Sequence, residues 1–72
     1  MPIAWVTELS ATLDQSFEEA INQGVHRATN TLRNVESAWI KDMNVMIENG
    51  NISAYKVNMA VTFVLEEGEQ PG

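Results

Sequence analysis

Glu48-Asn49-Gly50-Asn51 decides the fold. Asn-Gly between two stretches of alternating side chains is the strongest short hairpin signal, because a type I′ turn needs φ > 0 at both central residues. On its N-terminal side the apolar period is two from about 35 to 47, which predicts a strand. On its C-terminal side a second strand is predicted from Ile52 to Leu65. Its odd positions Tyr55, Val57, Met59, Val61, Phe63 and Leu65 are apolar, apart from the tyrosine hydroxyl. Its even positions carry Lys56, Asn58 and Thr62, interleaved with Ala54, Ala60 and Val64. Alternation of this kind marks a strand with one buried face.

Upstream of the hairpin the period changes to that of a helix. Phe17, Ala20, Ile21, Gly24, Val25, Ala28, Thr29 and Leu32 recur at the spacing of one helical stripe. Ser16 followed by Glu19 reads as a capping box. Glu18 and Glu19 at the start and Arg27 and Arg33 towards the end suit the helix dipole. Gly24 on the stripe costs about 1 kcal/mol against Ala, which points to a close backbone approach there. Asn34 is suited to a left-handed end. Ile3 to Leu9 are rich in β-branched and aromatic types and predict a short first strand, with Ser10 to Gln15 as polar punctuation. Glu66 to Gly72 is acidic, carries Gly and Pro, and reads as a frayed tail. The order is β-α-β-β, an α+β chain with a three-stranded antiparallel sheet and one helix, in a single domain over residues 1–72.

One helix covers one face of such a sheet and leaves the other face and the edges open. The chain has 72 residues and no Cys, so neither disulfides nor thiolate metal sites are available. A chain this short gains only about 3–5 kcal/mol from its own core. Exceptional packing or self-association remains as the source of stability, and with a sheet face and edges left open a homo-oligomer is expected. Ten acidic residues against four basic ones give a net charge of −6. Arg27, Arg33, Lys41 and Lys56 form no basic footprint, which argues against nucleic-acid and anionic-membrane partners. No apolar run approaches a membrane span, the start does not read as a signal peptide, and a soluble cytoplasmic protein is expected.

Five segments, in order and at matching spacing, resemble the dodecins, small flavin-binding proteins of bacteria and archaea. They are Glu8-Leu9, Ser16-Phe17-Glu18-Glu19-Ala20, Thr31-Leu32-Arg33-Asn34-Val35, Ile47-Glu48-Asn49-Gly50, and Tyr55-Lys56-Val57-Asn58-Met59-Ala60-Val61-Thr62-Phe63. The resemblance covers about Val6 to Leu65. It implies a three-stranded antiparallel sheet wrapped on one helix and assembled as a hollow homododecamer. It also implies binding of a flavin (riboflavin or FMN) without catalysis, as storage, sequestration or quenching of the free cofactor. Two positions depart from the family pattern: its stacking Trp falls on Ser37, and its third-strand Gln falls on Lys56. Some members that lack the Trp are calcium-associated, so the resemblance leaves two readings. One is flavin storage; the other is a structural or cation-associated shell, with calcium or magnesium, that has lost the flavin.

Isoalloxazine is flat and apolar on its faces, with donors and acceptors on its rim. Ser37 has no stacking face, and Lys56 donates but cannot accept. Trp39 lies two residues beyond Ser37 and projects from the same sheet face. It is either a displaced platform for a small planar ligand or a filler of the space left by Ser37. Ser37, Trp39 and Lys56 are therefore the candidate binding residues. Lys56 suits an anion, or pairs with Glu36 or Asp42 across strands or subunits. Trp5 reads as structural packing, His26 as a solvated residue on the polar side of the helix, and the four Met residues as filling for core or interface. The carboxylates have no metal-loop spacing, and Glu8, Asp42 or Glu48 would need symmetry mates to hold a cation. One His and no nucleophile turn argue against an enzyme.

Overall fold

The computed structural model describes residues 3–65. The expected frayed tail, 66–72, lies outside the described residues. The chain runs β1 (Ile3–Leu13), α1 (Phe17–Thr31), β2 (Val35–Glu48) and β3 (Asn51–Leu65), the expected α+β order. All three strands form one antiparallel sheet in the order β1-β3-β2, so the last strand is the central one.

The hairpin forms as read. Asn49 has φ 54° and Gly50 φ 78°, both positive as a type I′ turn requires. The first strand is longer than expected: it runs to Leu13, and Ser10, Ala11 and Thr12 pair with Asn58, Val57 and Lys56. The residues taken for punctuation alternate. Leu9, Ala11 and Leu13 pack on the core while Ser10 and Thr12 stay exposed. A strand with one wet face has this pattern, polar residues included.

The helix begins where the cap predicts. Ser16 is extended, and its hydroxyl accepts from the Glu19 N–H at 3.0 Å. The Glu19 carboxylate does not complete the expected box and instead accepts from Gln23 at 3.2 Å. Phe17 meets Tyr55 edge-on, ring centroids 5.1 Å apart, and ties the first turn to β3. The helix ends at Thr31, and the Leu32 N–H still reaches Ala28 O at 2.8 Å. Its last turn holds no basic residue, so the expected favourable charge at that end is absent. Asn34 is left-handed, φ 58°, but it forms the turn into β2 rather than the helix end. Its carbonyl accepts from the Val64 N–H at 3.0 Å and its side-chain amide donates to Val64 O at 3.3 Å.

The core lies between α1 and one face of the sheet. Ala20, Gly24 and Ala28 are the buried ridge of the helix, packed against Val57, Met59 and Val61 of β3. Small residues there bring the helix backbone close to the sheet. A Cβ added at Gly24 would stand 2.8 Å from Met59 Cε and 3.4 Å from Ala11 Cβ and Leu9 Cδ1. That is the close approach expected at this glycine. Cross-strand rows follow the alternation, with Leu9–Met59–Ile40 and Thr7–Val61–Ala38 on the helix side. The other face of the sheet is uncovered.

Candidate functional site

Every second residue of the three strands stands on that uncovered face. The pairing registers them as Val6–Thr62–Ser37, Glu8–Ala60–Trp39, Ser10–Asn58–Asp42 and Thr12–Lys56–Asn44. Ser37 and Trp39 therefore share a face one step apart, as their spacing predicted. Three irregularities in β2, between Val35 and Ser37, between Ile40 and Asp42 and between Met46 and Ile47, reset which residues point where. At the second, both Lys41 and Asp42 turn to the open face, as a bulge with one extra residue allows.

Trp39 is the prominent feature of this face. It is 70% exposed, the most open large apolar side chain among the described residues. Two of its neighbours on this face are small, Ala60 opposite and Ser37 on one side, while Lys41 and Asp42 lie on the other. An indole left standing over small residues offers a bare stacking surface, where a core tryptophan would be covered. Trp5 is on the helix side, in the row Trp5–Phe63–Val35, and is 52% exposed, so packing within the protomer does not account for it.

Lys56 stands on the same face but not beside Ser37 or Trp39. It lies four residues along β3 from Ala60 and six from Thr62. At ~3.3 Å per residue that places it about 13 Å from the Trp39 row and about 20 Å from the Ser37 row. Within one protomer the structure brings Ser37 and Trp39 together and leaves Lys56 apart. Within the protomer the expected pairing of Lys56 with Glu36 or Asp42 does not form. Across the sheet Lys56 faces Asn44 and Thr12, and Asp42 accepts from Asn58 Nδ2 at 2.6 Å.

The ion pair of this face involves residues not singled out for it. Lys41 Nζ donates to Glu8 Oε2 at 2.7 Å, reaching from β2 over the central strand to β1. That hydrogen bond, and then the Glu8 charge, raise the Lys41 pKa above the ordinary lysine value; Asp42 adds to the rise and desolvation opposes it. Glu8, Ser10, Lys41, Asp42 and Asn58 with Leu9 frame a shallow depression of about 440 Å³ between the Trp39 and Lys56 rows. Sequence spacing could not find Lys41, because the bulge sets its face.

Glu8 is held by Lys41 and Asp42 by Asn58, while Glu48 is at the hairpin. Among the described residues no three of His, Cys, Asp or Glu gather into a possible metal site. His26 is exposed, on the wall of a cleft of about 570 Å³ between α1 and β1 that no Phe, Tyr or Trp lines. No helix among the described residues is long and apolar enough to cross a membrane.

Comparison with known proteins places this geometry. The sequence model of the family Dodecin matches residues 3–66. No curated protein matches the chain in sequence. Among solved structures, the dodecin from Streptomyces davaonensis superposes with a TM-score of 0.85 at 29% identity, covering 92% of this chain and 97% of that one. An arginine-to-alanine variant of the Thermus thermophilus dodecin gives 0.86 at 30% identity, over 93% and 98%. A calcium-chelating antigen of Mycobacterium tuberculosis, a calcium dodecin with a novel calcium-binding site, gives 0.77 at 22% identity over 97% and 99%, and shares the fold.

Proposed function

The chain belongs to the dodecin family, and on that premise we propose that it is a non-enzymatic cytoplasmic binding protein that stacks a flavin on Trp39 and sequesters it within a hollow homododecamer. The exposed indole carries this reading. It stands one step along the strand from Ser37, where the family's stacking residue would fall, and on the same face. The platform is displaced along β2 rather than lost. Small residues around it, Ala60 and Ser37, leave room for a flat ring.

Assembly follows from what the protomer leaves uncovered. Ile3, Trp5, Val6, Trp39, Met43, Ile47 and Ile52 are all more than half exposed. They lie on a chain with no disulfide to compensate for its small core. Twelve protomers of 8.0 kDa make an assembly of about 96 kDa, which light scattering on a sizing column reads directly. The cation-associated alternative has less support, because the nearest carboxylates are already engaged by Lys41 and Asn58.

Riboflavin fluorescence tests the ligand. Aromatic stacking of a base is worth about 1–3 kcal/mol, and a flavin ring offers a comparable face. Trp39→Ala should therefore weaken riboflavin binding from about fivefold to more than a hundredfold. Wild-type protein that leaves riboflavin fluorescence unquenched refutes the flavin reading. Quenching undiminished by Trp39→Ala refutes Trp39 as the platform.

A further inference from the structure

We propose that Asn49 is a site of spontaneous self-modification, conversion to aspartate and isoaspartate, which the native hairpin turn holds shut and an opened turn releases. Asn49 is the one asparagine of the sequence followed by glycine; the other six precede Gln23, Thr31, Val35, Val45, Ile52 and Met59. A following side chain, above all a β-branched one, shields the backbone nitrogen beside it, whereas glycine leaves that nitrogen bare. Asn49 and Gly50 are both exposed, and no atom beyond the chain neighbours lies within 4 Å of where a Gly50 Cβ would stand.

The chemistry needs only water. The Gly50 backbone nitrogen attacks Asn49 Cγ, its proton leaves with the side-chain amino group as ammonia, and a five-membered cyclic imide closes. Water then opens the imide at one of its two carbonyls. Attack at Cγ breaks the new bond and gives aspartate with the original backbone. Attack at the Asn49 backbone carbonyl breaks the original peptide bond and gives isoaspartate, in which the chain runs through Cγ. No electrons change hands, so neither oxidant nor reductant enters.

The native turn withholds the nucleophile. Asn49 has φ 54° and Gly50 φ 78°. In a type I′ turn the first central residue has ψ of about +30°. At that ψ the Gly50 nitrogen lies across the Cα–C bond from Asn49 Cβ, and no side-chain rotamer brings Cγ to it. Attack requires ψ to rotate until nitrogen and Cβ stand on the same side. That rotation undoes the turn closed by the Glu48–Asn51 pair. The two products also differ in what they do to the hairpin. Aspartate before glycine suits the same turn. Isoaspartate adds a backbone methylene to a two-residue loop whose length fixes the register of β2 on β3. A chain that stands open in water thus acquires a mark that bars it from the sheet, and a folded chain does not.

The full-length protein, kept at mildly alkaline pH either folded or unfolded in guanidinium chloride, tests this. Peptide mass spectrometry reads the gain of about 1 Da at each asparagine, and enzymatic methylation scores isoaspartate. In guanidinium Asn49 should react before any other asparagine. Gly50→Ala should slow it by about tenfold or more in the same unfolded state, where the effect of the variant on folding is immaterial. Folded wild type should react about tenfold or more slowly than unfolded, because the open tip is a minority state. After guanidinium is removed, isoaspartate chains should be missing from the refolded fraction on a sizing column, while Asn49→Asp chains refold as the wild type does. Another asparagine reacting first, or an undiminished rate in unfolded Gly50→Ala, overturns the site. Equal rates folded and unfolded overturn the hold of the turn. Isoaspartate chains recovered in full among the refolded protein overturn the bar to folding.

Discussion

Gly24 is where the helix meets the sheet most tightly, and replacing it sets two known effects against each other. A helix-interior Gly→Ala change gains about 1 kcal/mol from backbone entropy. The new Cβ would stand 2.8 Å from Met59 Cε, closer than real Cβ contacts allow, and Met59 is fully buried. Its terminal methyl must move into packed surroundings, at about 1–3 kcal/mol for overpacking. The net expectation for Gly24→Ala is a loss of about 0–2 kcal/mol. Met59→Leu removes the obstructing methyl and, as a near volume-conserving exchange, costs under about 1.5 kcal/mol by itself. In that background the next nearest atoms to the added Cβ are Ala11 Cβ and Leu9 Cδ1 at 3.4 Å, an ordinary contact. Gly24→Ala should then stabilise, by up to about 1 kcal/mol, giving a coupling of roughly 1–3 kcal/mol between the two sites. Guanidinium unfolding followed by far-UV circular dichroism measures all four proteins. It must be done at one protomer concentration, since assembly links stability to concentration. Equal destabilisation by Gly24→Ala in both backgrounds would refute the contact with Met59 as the cause.

Two further outcomes follow from the turn and from the ion pair. Gly50 has φ 78° with nothing within 4 Å of where a Cβ would lie, so its replacement is a purely conformational test. Gly50→Val should cost about 1–2 kcal/mol or block assembly, and an unchanged melting temperature would contradict the type I′ turn. Lys41 holds its proton more tightly folded than unfolded, because of the Glu8 contact. Its stabilisation is therefore fully present below the ordinary lysine pKa and is lost as pH rises through the raised one. Wild-type and Lys41→Met unfolding midpoints should converge at alkaline pH, and divergence there would refute the linkage.

The fold was legible wherever local chemistry dictates it. Asn49-Gly50 permits few alternatives, and Ser16 marks the helix start because its hydroxyl satisfies an otherwise orphan N–H. The first strand was read too short because Ser10 and Thr12 were weighed by type. Their alternation with Leu9, Ala11 and Leu13 carried the signal. In the candidate site, spacing alone placed Trp39 on the face of Ser37. The Lys41–Glu8 pair and the separation of Lys56 from Ser37 were not legible, because both depend on register and on the bulges of β2. Register is a property of two strands at once, and no single run of residues displays it.

The central place of β3 bears on how the chain reaches its native state. The first and second strands have no hydrogen bonds to each other in the sheet; each pairs only with the third. Ile3 meets Leu65, so the outermost contact closes nearly the whole described chain. Until the third strand leaves the ribosome, the sheet has no template and the Phe17–Leu32 stripe has no surface to pack on. Only the helix, held by its own cap and local bonds, can form beforehand. Folding is therefore deferred until the third strand has been made, and the long loops that must close make it slow for a sheet of this size.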